Sequence, residues 1–278
     1  MRRTRRQPRW RSALLIGLAV VVGAGGYLHA HYVPPILMYH RIDDQSATSA
    51  LSVSPQSFAR QMAFFHERGY RVVPLDQIVE WIVHDRPPVH GAVAITFDDG
   101  FDSVYTQAYP VLRRYGMPAT VFIVTDWVGR PGYLSWAQIR ELAAHGFEIG
   151  GHTCSHPWLP ALTEDAMRRE LVESRRVLQQ QVPGSAQHFS YPFGAYDAVV
   201  KHAVRAVPYA SACATNPGRH RSWHDRYALK RLRISRSSEN LFVFWIETSG
   251  YYTWIKEHRG KNLWRPKPIE AAPSGEET

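Results

Sequence analysis

The sequence predicts an α/β fold, an irregular (β/α) barrel of about seven strands that is preceded by one N-terminal transmembrane helix. From about residue 34, short apolar runs alternate with amphipathic stretches at helical period, which indicates βα units with mostly parallel strands. The chain has 278 residues, 45% of them hydrophobic, which suits one barrel domain with a sizeable core. A stretch of about 17 uncharged residues precedes this domain.

The first 28 residues predict a membrane anchor. Residues 12–28 carry no charge and are just long enough to span a bilayer, while residues 1–11 contain six arginines. Positive residues stay on the cytoplasmic side, so we expect 1–11 to form a basic cytoplasmic tail and the domain to lie outside the cytoplasmic (inner) membrane, in the periplasm or at the cell surface. A cleaved signal segment is the alternative. It is disfavoured because Leu28 stands where a small residue is required before Ala30.

The charge distribution excludes nucleic acid as an expected partner. The formal net charge is +9, but the six arginines of the N-terminal tail supply most of it. The remaining chain carries only a small excess of positive charge, which is ordinary for a globular protein.

The predicted elements alternate regularly along the domain, which we place at residues 34–258. Strands are predicted at 36–39, 70–73, 93–97, 120–124, 147–150, 188–191 and 209–212. Helices are predicted at 56–68, 75–84, 102–115, 135–145, 163–181 and 197–207. Gly69, Gly116 and Gly146 follow three of these helices, as glycines after helix ends commonly do. Residues 261–278 contain three prolines and no apolar periodicity, which predicts a disordered tail.

Two predicted strand ends carry residues that suit metal chemistry. The strand before Asp98 and Asp99 is apolar, and His152 and His156 follow the strand at 147–150. Side chains at the carboxyl ends of barrel strands meet at one face of the barrel. One carboxylate with two imidazoles leaves coordination positions open, as in catalytic metal sites, and the second carboxylate is then free to act as a base. Taken alone, the Asp-Asp-Gly motif has an ordinary turn as its alternative. The two histidines, taken alone, have a chance pair as theirs.

These motifs resemble those of polysaccharide deacetylases of the NodB-homology type, carbohydrate esterase family 4. The resemblance covers residues 34–236: residues 96–100 read Thr-Phe-Asp-Asp-Gly, and residues 152–157 read His-Thr-Cys-Ser-His-Pro. It implies hydrolysis of N-acetyl groups on an N-acetylglucosamine-containing polysaccharide, with release of acetate.

The same resemblance implies a role for each of four residues. Asp98 would be the general base, and Asp99, His152 and His156 would hold a divalent metal ion. Zinc is the first choice for this ligand set, and nickel, cobalt and iron suit it nearly as well.

The third family motif is only partly kept. Residues 190–194 read Ser-Tyr-Pro-Phe-Gly, whereas the family usually has Arg-Pro-Pro-Tyr-Gly. Ser190 therefore cannot steady the catalytic carboxylate as the arginine does in the family. Arg231 is a candidate replacement, and a surface charge beside a strand is the alternative. Substrate contact and oxyanion stabilisation are expected from this motif, at Tyr191, Pro192 and Phe193.

The late Leu-x-His motif, the source of the general acid in the family, is missing. Its absence, together with Pro-Ile-Leu-Met-Tyr-His-Arg-Ile at residues 35–42, resembles the subgroup that acts on poly-β-1,6-N-acetylglucosamine. In that subgroup the opening strand carries a histidine into the site, so His40 is the candidate acid. A core histidine is the alternative.

The sequence leaves open an alternative function, the identity of the glycan and the state of the two cysteines. A non-catalytic glycan-binding or scaffold protein on the same fold is one alternative function. Glycoside hydrolysis is disfavoured because Asp98 and Asp99 are adjacent and cannot flank a glycosidic bond at roughly 5–10 Å. The glycan could be a secreted β-1,6-linked polymer, peptidoglycan, chitin fragments or a lipid-linked precursor. Cys154 and Cys213 form either a disulfide or two separate buried thiols.

Overall fold

The computed structural model describes residues 32–44, 49–215 and 225–252, together with the isolated Gly23 and Gly26. Apart from those two glycines, the predicted anchor at 12–28 lies outside the described residues, and so does the predicted tail at 261–278. Within the part of the chain that is described, no helix has the length and apolar character needed to cross a membrane.

All seven predicted strands are confirmed, with bounds that differ by at most two residues. The strands of the described residues are β1 (Ile36–Tyr39), β2 (Arg41–Ile42), β3 (Ser52–Val53), β4 (Arg71–Val72), β5 (Ala92–Phe97), β6 (Thr120–Ile123), β7 (Glu148–Gly151), β8 (His188–Ser190), β9 (Ser211–Ala214), β10 (Leu229–Lys230) and β11 (Leu232–Arg233). The four strands that were not predicted have two residues each, which is too short for a period of two to be recognised.

The main sheet is a barrel-like ring of parallel strands, as predicted. Six strands follow one another in the order β9-β8-β7-β6-β5-β1. The segment 229–233 joins the two ends of this row, because β10 pairs with β9 and β11 pairs with β1. Arg231 lies between these two short strands, at the position where the ring closes. The predicted strand β4 is not part of the ring and pairs only with the start of β5.

Seven α-helices lie within the described residues. They are α1 (Pro55–Glu67), α2 (Leu75–Val83), α3 (Tyr109–Tyr115), α4 (Trp136–Ala144), α5 (Glu164–Gln181), α6 (Ala198–Ala206) and α7 (Leu241–Glu247). The predicted helix at 102–115 is different, because it begins as a π-helix at Val104–Ala108 and becomes α-helical only afterwards. Pro110 has no N–H to donate to the preceding turn, which explains the irregular hydrogen bonding there.

Helix α2 covers the amino-terminal end of the barrel. Its buried residues Ile78 and Ile82 belong to one apolar cluster with the strand residues Ile36, Ala94 and Phe122. Val93, Ile95 and Phe97 of β5 pack in a second, larger cluster with the outer helices. Successive side chains of a strand thus point alternately into the barrel interior and towards the outer helices. Because α2 closes one end, the open end is the one where the strands finish.

The two cysteines are separate thiols. Burial raises the pKa of Cys213 to about 12 and the pKa of Cys154 to about 11, so both thiols stay protonated at neutral pH. The disulfide alternative is therefore wrong.

Candidate active site

Strand β5 delivers two carboxylates to the open end of the barrel. Asp98 continues the inward-facing row that includes Ala94 and Thr96, and both Asp98 and Asp99 are buried. Asp99 has φ 73° and Gly100 has φ 75°, so the chain makes a left-handed turn directly after Asp98. Aspartate tolerates this conformation better than most residues do, and glycine adopts it freely. After this turn the Asp99 carboxylate reaches His152 and His156, whereas Asp98 contacts Arg231.

Asp98 forms a bidentate ion pair with Arg231. Nη1 of Arg231 donates to Oδ1 at 2.6 Å, and Nη2 donates to Oδ2 at 2.6 Å. The Arg231 side chain is 0% exposed. The surface-charge alternative for Arg231 is therefore wrong. The planar guanidinium fixes both carboxylate oxygens at once, which a single point charge cannot do.

Two hydroxyl groups complete the surroundings of this ion pair. Arg231 Nη2 also donates to Ser190 Oγ at 2.9 Å, and Ser190 Oγ donates to Asp98 Oδ2 at 3.2 Å. Arg231 Nη1 donates to Thr96 Oγ1 at 3.1 Å. Ser190 supplies no charge to Asp98, as an arginine would, but its hydroxyl contacts both members of the pair. Its small side chain also leaves room for the guanidinium of Arg231, which comes from between β10 and β11.

The ion pair keeps Asp98 ionised. Burial alone would raise the pKa of this carboxyl, but the charge of Arg231 and its hydrogen bonds outweigh burial and hold the pKa well below its usual range. An ionised carboxylate whose position is fixed is the state that a general base requires.

Asp99, His152 and His156 form a group that is able to hold a metal ion. Asp99 Oδ1 lies 3.3 Å from His152 Nε2 and 3.5 Å from His156 Nε2, and the three potential ligand atoms lie within 4.8 Å of one another. His152 Nδ1 lies 2.7 Å from the Ser190 carbonyl oxygen, which can only accept, so Nδ1 carries the hydrogen. In a neutral ring Nε2 then presents its lone pair to Asp99, and a cation between them relieves the repulsion.

The protonation states of the two histidines fit this interpretation. Burial, followed by the nearby His152, lowers the pKa of His156 to about 4, so its ring is neutral at neutral pH. Burial also acts to lower the pKa of His152, but the hydrogen bond and charge of Asp99 outweigh it and raise that pKa. The donor set fits a divalent ion with coordination positions left for other ligands.

Glu170 of α5 holds the loop that carries the two histidines. Its Oε2 accepts hydrogen bonds from the backbone N–H of Cys154 at 2.8 Å and of Ser155 at 3.0 Å. The Ser155 hydroxyl donates to Oε1 at 2.8 Å. The loop needs support because Thr153 and His156 both have positive φ, at 67° and 62°. Glu170 was not among the predicted site residues, because nothing in the sequence distinguishes it from the other charged residues of this helix.

His40 follows β1 and lies close enough to Asp98 and Asp99 for their charges to act on it. Burial lowers its pKa, although the two carboxylates act in the opposite direction. Its Nδ1 is buried and has no hydrogen-bond partner among the described residues.

The third motif contributes to the site through Phe193. The backbone N–H of Tyr191 donates to the Cys213 carbonyl at 3.0 Å and its hydroxyl donates to the Tyr227 carbonyl at 2.9 Å, so Tyr191 is occupied within the fold. Pro192 has no N–H. The expected oxyanion donor is therefore not Tyr191 or Pro192, and Phe193, with φ 59° and a ring that is 60% exposed, is the remaining candidate.

An aromatic rim surrounds the metal-ligand group. The ring of His156 has two aromatic neighbours: the centroid of Phe193 lies 4.5 Å from its centroid, and that of Trp127 lies 5.3 Å from it. Trp158 lies 5.7 Å from Phe193, and Tyr133 lies 5.1 Å from Trp127. Flat apolar rings at the mouth of a polar site are suited to contact with sugar rings.

Comparison with known proteins agrees with this geometry. The family described as Polysaccharide deacetylase matches residues 85–212. The protein YxkH of Bacillus subtilis, provisionally named a polysaccharide deacetylase, is 34% identical over 215 residues, which cover 77% of this chain and 76% of YxkH. The poly-β-1,6-N-acetyl-D-glucosamine N-deacetylase of Escherichia coli is 31% identical over 134 residues, 42% of this chain but only 20% of that enzyme.

A solved structure shows the same architecture. The Streptococcus pyogenes deacetylase PplD, in complex with acetate, superposes with a TM-score of 0.70 and 27% sequence identity, and the match covers 76% of this chain and 97% of PplD. The fold, the assembled motifs and the long alignment with YxkH lead to one conclusion. The chain belongs to the polysaccharide deacetylase family, whose members hydrolyse N-acetyl amide bonds.

Proposed function

We propose that the chain is a metal-dependent N-deacetylase that acts on an N-acetylglucosamine-containing polysaccharide and releases acetate. The observation that carries the proposal is the ionised Asp98, held by Arg231, directly beside the group of Asp99, His152 and His156. A β-1,6-linked polymer is the favoured substrate. The name of the Escherichia coli relative and the position of His40 both support this choice.

Each residue of the site has one task in this reaction. A divalent ion held by Asp99 and the two histidines would supply Lewis acidity towards the acetyl carbonyl. Asp98 removes a proton from the attacking water, and Arg231 keeps the carboxylate oriented for that step. The backbone N–H of Phe193 donates to the carbonyl oxygen as negative charge develops there. We assign to His40 the delivery of a proton to the departing nitrogen.

The location that we propose follows from the arginine asymmetry of the sequence. Residues 1–11 stay in the cytoplasm, residues 12–28 span the cytoplasmic membrane once, and the catalytic domain lies outside it. This location suits a substrate that is a secreted or cell-wall polysaccharide.

The assignment of base and ligands predicts that metal content and activity can be separated. His152→Ala should lose bound metal and activity together, because it removes a ligand. Asp98→Asn should keep the metal but lose about 10²–10⁴-fold in kcat, because an amide cannot accept the proton. Metal content by mass spectrometry and acetate release by a coupled assay would measure the two properties.

His145→Ala is the control, since His145 is an exposed histidine at the end of α4. It should change neither property. Near-normal turnover by Asp98→Asn would refute the base, and full metal content in His152→Ala would refute the ligand group. Intact binding of glycan without any acetate release by the unaltered, metal-loaded chain would favour the glycan-binding alternative.

A further inference from the structure

Helix α7 has an exposed aromatic face. Phe244 on its inner side is fully buried, and its ring lies 5.0 Å from that of Phe65 in α1. On the outer side, Phe242 is 65%, Trp245 is 47% and Ile246 is 38% exposed. A helix surface that faces water is normally polar. These three residues, which we call the α7 face, thus form an apolar surface that no described element covers.

The α7 face lies close to the point where the chain enters the domain. Tyr32 is 7% exposed, its ring stacks on His90 at 4.2 Å, and its hydroxyl donates to the Ala92 carbonyl at 3.0 Å. The next residue, Val33, donates its N–H to the Gly250 carbonyl at 3.1 Å. Gly250 follows the end of α7 by three residues.

The contact between Tyr32 and Gly250 leaves no space for a side chain. A Cβ on Gly250 would lie 2.1 Å from Tyr32 Cε2, and Gly250 has φ 79°. The entry of the chain is therefore fixed to the segment that follows α7.

The length of chain before Tyr32 places this region at the bilayer. The predicted span ends at Leu28, four residues earlier, and four residues reach at most about 14 Å even when fully extended. We propose that the α7 face rests in the interfacial region of the lipid bilayer beside the anchor. This inference depends on the membrane anchoring proposed above.

The chemistry of the α7 face fits lipid better than a second copy of the chain. Tryptophan and other amphipathic aromatic residues are enriched where the headgroups meet the acyl chains. Three side chains on a seven-residue helix are far from the roughly 1,200–2,000 Å² that a stable protein interface buries. A small apolar patch held near the surface by a covalent anchor needs little affinity of its own, because the anchor keeps it at high local concentration.

The proposed contact also positions the active site. Tyr32 precedes the start of β1, whereas the catalytic carboxylates lie where the ring strands end. The four residues of β1 alone separate these ends by about 13 Å. The mouth of the barrel is thereby held off the lipid surface, where a polymer outside the membrane can reach it.

The test places a photoreactive benzophenone amino acid at position 246 or at position 172 of the full-length chain. Val172 on α5 is a matched control, because it is 41% exposed and Ile246 is 38% exposed. Each protein is reconstituted into vesicles of phosphatidylethanolamine and phosphatidylglycerol, and co-flotation with the vesicles is measured. After irradiation, we expect about ten times more lipid adduct at position 246 than at position 172.

The outcomes separate this inference from the anchoring on which it depends. Flotation with equal lipid adducts at the two positions would overturn the contact of the α7 face while the anchor stands. Flotation with adducts from position 246 to another copy of the chain would replace lipid by a dimer and also overturn it. Failure to float would refute the anchor and this inference together.

Discussion

At the scale of single residues, the site depends on a carboxylate that is buried and yet ionised. Asp98 is 3% exposed and is compensated by Arg231 and by a hydrogen bond from the Ser190 hydroxyl. Removal of one partner from such a buried pair leaves an uncompensated charge, which typically costs about 3–5 kcal/mol. The same arginine therefore contributes to stability and orients the proposed base.

Arg231→Lys should separate charge from geometry. A lysine keeps the positive charge but cannot bridge both oxygens of Asp98, so we expect kcat to fall by about 10²-fold with a smaller change in KM. Metal content should be unchanged, because Arg231 does not contact the ligand group. Steady-state kinetics of acetate release would measure this. Arg233→Lys, two residues further on at an exposed position, is the control and should keep normal turnover, while an equal loss in both variants would contradict the role of Arg231.

Glu170 should affect the metal without touching it. Glu170→Ala removes the acceptor for the N–H groups of Cys154 and Ser155, so the strained loop loses its support and metal affinity should fall by about 10–100-fold. Competition with a chelator would measure the affinity. Glu173→Ala is the matched control, because Glu173 lies on the same helix and pairs only with Arg176 among the described ion pairs. Equal affinities of the two variants would refute the positioning role.

The site residues that belong to sequence motifs were predicted, whereas those that support the site through contacts between distant elements were not. Asp98, Asp99, His152 and His156 were predicted to meet, and the structure brings them together because parallel strands end at one face. The hydrogen bonds of Ser190 and the support from Glu170 could not be predicted in this way. They depend on which side chains from distant elements meet, and no local pattern encodes that.

At the scale of elements, helix α2 begins without a cap of its own. It follows Pro74, which has no side-chain hydrogen-bonding group, and Glu148 of β7 accepts from the N–H of Leu75 at 2.9 Å and of Asp76 at 3.0 Å. Burial acts to raise the pKa of Glu148, but His188, Thr120 and these N–H groups outweigh it and lower the pKa. A strand thus stabilises the helix that closes the barrel.

Glu148→Gln should destabilise the protein in a pH-dependent way. Because the folded pKa lies below the unfolded value of about 4.3, the carboxylate stabilises the fold above that pH, and this contribution is lost as the pH falls through the folded pKa. We expect a loss of about 1–2 kcal/mol in the free energy of unfolding at pH 7, which shrinks under acidic conditions. Glu80→Gln on the exposed side of α2 is the control. A deficit that is equal at pH 7 and pH 3 would contradict the charged cap.

The apolar strands and the amphipathic helices were predicted, and the irregular elements were not. Strand β5 is a continuous buried run, and helix α5 is long enough for its helical period to be recognised. The π-helix at Val104–Ala108 and the two short strands around Arg231 depend on tertiary hydrogen bonds, so propensity alone did not indicate them.

At the scale of the whole molecule, closure of the barrel and assembly of the site are one event. Residues 229–233 join the first and last strands of the row, and Arg231 at the centre of this segment reaches Asp98. The segment that closes the ring thus also supplies the partner of Asp98. The parallel barrel was predictable from the alternation of strands and helices, whereas the closing segment was recognised only through one arginine.

The most direct test of the account is the reaction itself. The full-length, metal-loaded protein is incubated with an N-acetylglucosamine oligomer, and the products are analysed by mass spectrometry and by acetate release. The site has one ionised carboxylate beside a metal-ligand group, which is suited to hydrolysis of an acyl bond, and among the described residues that we assign to it no second free carboxylate faces the first as glycoside hydrolysis requires. We predict free acetate and products that are lighter by acetyl groups at unchanged chain length, with activity lost on chelation and restored by a divalent metal. Shortened oligomers without acetate, or acetate release that is insensitive to chelation, would contradict the account.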